Sequence, residues 1–473
     1  MQTFRNFIAR IFNVRGIEFL EDTSIKELYV KNWNIAWPSM LEGALLSIIN
    51  AVDTMMVGGI GLSAISAVGL ATQPKFIILI LGQSMCVGTT AVIARRKGEE
   101  DQKGANNCLR QSMIITTVLG SIMLALGFFF AEPMMKFVGA KPDTLEMSVT
   151  YFKVISLAMV FNYLSLCICA ALKAIGETKV TLITNMTANI VNVVFNYLLI
   201  GGNFGFPRLG VLGAAIATAF GTFVSCCVAF WFILKPGGYL HFKLTDKTVW
   251  DKESLMSLYL VGSSSIAEAV FLRIGFVINQ KLVAEIGTNV YASFQIVQQL
   301  SSLSFTVGDG LAVASTSLVG QSLGAERKDL ASAYVQTTRK ISLVSSVILM
   351  VVIFFTRNYY PMLFTDDKYV IYASGMTLLV IAAGLIPQNG RIVYSGCLRG
   401  AGDTKFVAFA SLISVTFIRP LCTYLFCYPI HALFPNMLFQ YTGPWWSFVI
   451  DSLIRDRWMK HRIDSGKWQE IKL

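Results

Sequence analysis

Residues 171–179 read ALKAIGETK and residues 397–405 read CLRGAGDTK, with Leu172/Leu398, Gly176/Gly402, Thr178/Thr404 and Lys179/Lys405 identical at a spacing of 226 residues. The same spacing pairs Gly98 with Gly324, Ile60-Gly61 with Ile286-Gly287, Gln73 with Gln299, and Glu42 with Glu268. A single match is weak. Five separated matches at one ungapped spacing describe a chain written twice.

Composition says what is written twice. Of 473 residues, 54% are hydrophobic and 14% charged, and the mean hydropathy is +0.60, values that belong to an integral membrane protein. Twelve apolar segments are placed at 33–57, 64–94, 106–130, 149–172, 180–201, 211–234, 256–282, 290–320, 331–356, 370–397, 406–430 and 443–463. Each is long enough to cross a hydrocarbon core of ~30 Å at about 1.5 Å per residue. Spans in lipid must satisfy their own backbone groups, and continuous apolar runs without strict alternation do so as helices, so the expected fold class is all-α.

The 39 Lys and Arg outnumber the 28 Asp and Glu, but their placement follows topology rather than a nucleic-acid footprint. With the N-terminus inside, 28 of them fall in cytoplasmic segments and five (Lys136, Lys141, Arg208, Arg357, Lys368) on the opposite side. This is the positive-inside bias of a multi-pass protein with both termini cytoplasmic. Six spans per copy is an even number, so both copies share one orientation and form a parallel repeat. The expected organisation is a cytoplasmic amphipathic segment (1–32), an N-lobe (33–234), a cytoplasmic linker (235–255), a C-lobe (256–463) and a cytoplasmic tail (464–473).

Several classes of function drop out. There is no G-x-x-x-x-G-K-[ST] loop and no soluble segment large enough for a nucleotide domain, so active transport would have to draw on an ion gradient. Nine cysteines are present, most of them read as small packers within spans, and no C-x-x-C pair or histidine cluster suggests a metal centre. No cofactor is expected. The first 32 residues lack an apolar core ahead of the first span, so no cleavable signal is expected. Phe4, Phe7, Ile8, Ile11 and Phe12 instead fall on one face beside Arg5, Arg10 and Arg15, the pattern of a basic helix lying on the membrane surface.

Polar groups inside the spans carry the functional reading, because an ionised side chain in hydrocarbon costs several kcal/mol or more. Glu42 and Asp53 lie eleven residues apart in the first span, close to three whole helical turns and roughly 16 Å along one face. Either Asp53 serves ion coupling or it is paired with a buried base such as Lys75 or Lys153. In the second copy Glu42 becomes Glu268 and Asp53 becomes Asn279. Glu268 either handles an ion or is the counter-ion of Arg273, Arg391 or Arg419. Asn185, Asn189, Asn192 and Asn196 form an amide face on the fifth span, suited to a carboxylate, to sodium or to helix packing. The small residues of GVLGAAIATAFGT (210–222) read as close helix contact, with Thr218 as their polar member.

The segments VDTMMVG (52–58), ALKAIGETK, NVVFNYLLIGGNFGFPRLGVLGAAIAT (192–218), CLRGAGDTK and DSLIRDRW (451–458) resemble the multidrug and toxic compound extrusion (MATE) family, in particular its bacterial NorM/DinF-like members. The resemblance runs from Trp33 to about Trp468. It implies a V-shaped, twelve-helix antiporter in the bacterial cell membrane that exports drugs or organic cations by alternating access in exchange for H+ or Na+. Asp53, Asn192, Asn196 and Thr218 are similar to the family's N-lobe ion site, and Glu268 to its C-lobe site, so sodium is expected at Asp53 or Glu268 if sodium is the coupling ion. Glu42, Gln73, Gln295, Gln299, Gln388 and Arg391 are expected around the substrate cavity. Two departures stand out: some members carry aspartate where this chain has Asn196, and NorM-type members carry aspartate where it has Gln388. A monomer working within membrane lipid, without nucleic acid, is expected. The alternatives are a flippase for lipid or lipid-linked saccharide on the same plan, which would use Arg273, Arg391 and Arg419 for phosphate, and a membrane-embedded enzyme.

Overall fold

The computed structural model describes residues 14, 24–243, 249–435 and 437–471. The expected surface helix of residues 4–15 lies outside the described residues, Val14 apart. Among them the long elements are helices only: α1 (Ile25–Gly58), α2 (Leu62–Gly98), α3 (Gln102–Phe129), α4 (Ala131–Val138), α5 (Pro142–Leu157), α6 (Met159–Ala174), α7 (Thr178–Gly201), α8 (Val211–Leu234), α9 (Lys252–Ile286), α10 (Thr288–Gly324), α11 (Lys328–Thr356), α12 (Lys368–Gly400), α13 (Thr404–Leu433) and α14 (Phe439–Asp464).

Each expected span coincides with a helix or, for the fourth, with the pair α5 and α6, which meet at a 49° bend. Ten helices among the described residues are long and apolar enough to cross a membrane, and the bent pair makes eleven. The twelfth, α14, falls short of that apolarity because it carries Asp451, Arg455 and Asp456, all buried inside the protein rather than facing lipid. The first helix also starts earlier than the apolar run suggests. Ser24 and Glu27 cap it reciprocally, with Glu27 N donating to Ser24 Oγ at 3.2 Å and Ser24 N donating to Glu27 Oε2 at 3.0 Å, a capping box legible in the stretch SIKE.

The internal repeat extends to backbone geometry. Gly176 and Gly402, in the two repeated motifs, take φ of +88° and +87° and turn the chain from α6 into α7 and from α12 into α13. Glu100 and Glu326 both adopt left-handed φ, 59° and 58°, a conformation uncommon outside glycine. Thr90 Oγ1 donates to the Ala170 carbonyl at 3.3 Å, and at equivalent positions Thr316 Oγ1 donates to the Gly396 carbonyl at 2.9 Å.

The chain divides into two compact units. The N-unit is Leu41–Ser263; the C-unit comprises the described residues of Met1–Met40 and Ser264–Lys472. The division does not fall at the linker. The first part of α1 packs in the C-unit, where Leu28, Ile35 and Ala36 join Leu311, Leu318 and Tyr334 in one core and Asn32 Nδ2 donates to Thr338 Oγ1. Likewise, the first part of α9 packs in the N-unit, with Leu258 in the core formed by Ile93, Leu109, Ile168 and Ile233.

Small residues set the closest helix contacts. A Cβ on Gly213 would lie 2.6 Å from the Leu199 carbonyl oxygen, and one on Gly221 would lie 2.9 Å from that of Ala188, so the 210–222 stretch seats α8 on α7. In the C-unit, Gly396 and Gly400 bring α12 onto α10, where an added Cβ would meet Ala312 O at 2.6 Å and Thr316 O at 2.4 Å. Overpacking at such a contact costs typically 1–3 kcal/mol. We expect Gly396→Val to lower the thermal midpoint of the purified protein by several degrees, while Gly69→Ala, with nothing within 4 Å of the added atom, leaves it unchanged; a melting curve followed by tryptophan fluorescence reads both.

Candidate ion and substrate sites

The amide face of α7 is shared between the two carboxylates of α1. Asn196 Nδ2 donates to Asp53 Oδ1 at 2.8 Å and Asn185 Nδ2 donates to Glu42 Oε1 at 2.8 Å, each pair separated by 143 residues. Helices α1 and α7 therefore run side by side in the same direction through the N-unit, and an eleven-residue spacing on one matches an eleven-residue spacing on the other.

Asp53 is partly buried. Turned so that its nitrogen faces the carboxylate, the Asn192 amide donates to both Asp53 oxygens at 3.0 Å, and its oxygen accepts from Thr218 N at 3.1 Å and Thr218 Oγ1 at 3.3 Å. Thr218 Oγ1 also donates to the Ala214 carbonyl at 2.9 Å. The structure thus brings Asp53, Asn192, Asn196 and Thr218 together, and adds Tyr151, buried against Thr218. Lys75 on α2 is the cation within electrostatic reach of Asp53. Neither it nor Lys153, which sits over the Phe128 ring at 5.6 Å, forms an ion pair with Asp53 among the described residues.

Glu42 is placed differently from Asp53. It is 6% exposed, paired with Lys173 Nζ at 2.9 Å, and accepts from Thr181 Oγ1 at 3.1 Å as well as from Asn185. Both carboxylate oxygens are engaged within the N-unit.

Glu268 repeats this arrangement in the C-unit. Arg399 Nη2 donates to both its oxygens at 2.8 Å, and Ser411 Oγ donates at 3.5 Å. The partner is therefore Arg399 of the CLRGAGDTK motif, not Arg273, Arg391 or Arg419. A carboxylate already neutralised by a guanidinium is a poor site for a second cation, so this geometry does not support sodium or proton coupling at Glu268.

Other expected cavity residues separate by exposure. Gln73, Gln295 and Gln299 are exposed, Gln295 Nε2 donating to Tyr291 Oη at 2.7 Å. Gln388 is fully buried and donates to Ser304 Oγ at 3.0 Å; Arg391 is buried, donates to Ser452 Oγ at 3.3 Å and stands over the Phe305 ring at 5.6 Å. These two lie buried in the C-unit.

Sequence reasoning quoted DSLIRDRW without assigning its charges. Asp451 is fully buried and accepts from Arg419 Nη2, from Arg455 Nη2 at 2.7 Å and from Ser414 Oγ. The available signal is the i,i+4 spacing of Asp451 and Arg455 inside a span. Two π-helical stretches, Leu412–Ile418 and Phe426–Ile430, interrupt α13, and Arg419 directly follows the first of them.

Two six-helix repeats, long apolar helices and carboxylates held by amides inside them define a multi-pass membrane transporter rather than an enzyme. The MatE family model matches residues 38–198 and again 265–425; the chain belongs to this family of multidrug transporters. It is 25% identical over 454 residues to a probable multidrug resistance protein NorM of Thermotoga maritima, covering 96% of each chain. Identity is also 25%, over 447 residues, to an uncharacterized transporter, YisQ, of Bacillus subtilis, covering 92% of this chain and 94% of that one. A solved structure titled as MATE in the straight conformation superposes with a TM-score of 0.85 at 21% identity, over 96% of this chain and 99% of that one.

The Glu42–Lys173 bridge yields a direct test. Removing one partner of a buried pair costs on the order of 3–5 kcal/mol, because the other is left uncompensated. We expect Lys173→Met to lower the melting midpoint strongly, and the double variant Glu42→Gln/Lys173→Met to recover much of the loss in the same assay.

Proposed function

We propose that this transporter is a secondary active efflux antiporter, exporting organic, mainly cationic, compounds in exchange for H+ or Na+ by alternating access, with Asp53 as the coupling group. It works as a monomer in the bacterial cytoplasmic membrane, surrounded by lipid and with both termini cytoplasmic, as its lysine and arginine distribution indicates. The observation that carries the coupling role is the contrast between carboxylates. Glu42, Glu268 and Asp451 are each bound to a cation at hydrogen-bond distance, whereas Asp53 is held by amides. A carboxylate held by neutral groups is free to take up and release a cation; one locked to arginine is not.

The donors around Asp53 disfavour sodium, while they stabilise the ionised carboxylate that an incoming proton would neutralise. Asn196 presents its nitrogen to the carboxylate, and Lys75 supplies a positive charge nearby, whereas sodium is bound by oxygens. Protonation would remove the charge that these donors hold and release α1 from α7, giving the differential stabilisation of two states that coupling requires. Of the three bases that a lipid phosphate would use, Arg391 and Arg419 are buried among aromatic rings and Arg273 is exposed; the burial of two of them supports small organic compounds as cargo.

Ethidium efflux from proteoliposomes under an imposed pH or sodium gradient tests this reading. Wild type is expected to respond to the pH gradient, and Asp53→Asn to lose at least about tenfold in rate, while Glu268→Gln/Arg399→Met retains a proton-driven response. Efflux by Asp53→Asn at the wild-type rate would remove Asp53 from the mechanism.

A further inference from the structure

The C-unit contains a small cavity lined by Phe276, Asn279, Gln298, Arg419, Trp445 and Phe448. It has room for about one water-sized sphere. Arg419 and Trp445 are each 2% exposed, and Arg419 Nε and Trp445 Nε1 have no acceptor among the described residues. Asn279 Oδ1 accepts from Thr423 Oγ1 at 2.6 Å, which leaves its amide nitrogen as a third donor. Buried N–H groups without partners are uncommon, and each costs free energy comparable to a lost hydrogen bond.

Charge points the same way. Arg391, Arg419 and Arg455 are all buried around one buried carboxylate, that of Asp451. Asp309 on α10 also lies within reach of Arg391 but is exposed. The neighbouring bases are accounted for elsewhere: Arg399 is paired with Glu268, and Arg339 with Asp456 at 3.6 Å. The cavity thus borders a cluster with an excess of guanidinium charge, Arg419 itself standing over the Phe276 and Phe448 rings at 5.2 and 5.1 Å. A cation is repelled from such a place, and a water molecule satisfies donors without offsetting charge.

We propose that this cavity is a binding site for a small monovalent anion, of the size of chloride or of a single carboxylate head group, held by Arg419, Trp445 and Asn279. The anion completes the hydrogen bonding of the cluster and links the π-interrupted α13 to α9 and α14. The site is separate from Asp53 and does not depend on the ion that drives transport.

The test is thermal unfolding of the purified full chain in detergent, titrated with sodium chloride against sodium isethionate, a bulkier sulfonate, at matched ionic strength. Saturable stabilisation by chloride alone is expected, with the apparent affinity reduced about tenfold in Trp445→Phe, which keeps the ring and loses the donor, and similarly in Asn279→Leu. Sodium benzoate distinguishes the source: competition with chloride identifies a carboxylate head group as an accepted ligand, and its absence restricts the site to the free halide, both within the proposal. Crystals soaked in sodium bromide are expected to show an anomalous peak beside Trp445 Nε1. Equal stabilisation by chloride and isethionate, or a chloride effect that survives both substitutions without a bromide peak, would leave a cavity for water only and overturn the site.

Discussion

A carboxylate buried in a membrane helix has to be compensated where it lies, and this requirement organises both halves of the transporter. Glu42 with Lys173 and Asn185, and Glu268 with Arg399 and Ser411, are the same three-part clasp at positions 226 residues apart. In each half it ties the first helix of the repeat to the helices on either side of the repeated glycine turn. The lysine of ALKAIGETK and the arginine of CLRGAGDTK are the cations of that clasp, which gives the motif a physical reason to occur twice. An isolated charge there would cost several kcal/mol, so the clasp forms as a whole or the helices separate.

Beyond this shared clasp the halves diverge in where they place a second carboxylate. The first has Asp53 where the second has Asn279, and the second has Asp451 where the first has Ser225. Ser225 shares a hydrogen bond of 2.7 Å with Ser165, and the equivalents of this neutral pair are Asp451 and Arg391. The C-unit thereby exchanged a serine contact for an arginine-rich cluster around a fixed charge. In the N-unit, Asp53 meets amides and only a more distant lysine. The C-unit holds its second carboxylate with arginines, and the N-unit holds its own with amides.

How much of this was legible follows from the kind of information each feature needs. The spans and the duplication are properties of spacing along the chain or of residue type in an apolar run, whereas the grouping of Asp53 with Asn192 and Asn196 followed from the resemblance to the MATE family. The small C-unit cavity was not legible, since it needs Asn279, Arg419 and Trp445 from three helices at once. Glu268 shows the boundary well. Its burial was readable, but its partner lay 131 residues away, and three other arginines were equally good candidates until the helices were packed.

The sequence by itself determined an all-helical membrane protein written twice, because hydrophobic length, lysine and arginine distribution and an ungapped repeat are one-dimensional quantities. Tertiary structure alone decided which carboxylates are free. Whether Glu42, Asp53, Glu268 or Asp451 meets a cation depends on distances of a few ångströms between helices far apart in the chain, and at those distances electrostatic energy in a low-dielectric interior changes by several kcal/mol. That is why four similar acidic residues within apolar helices end with different roles.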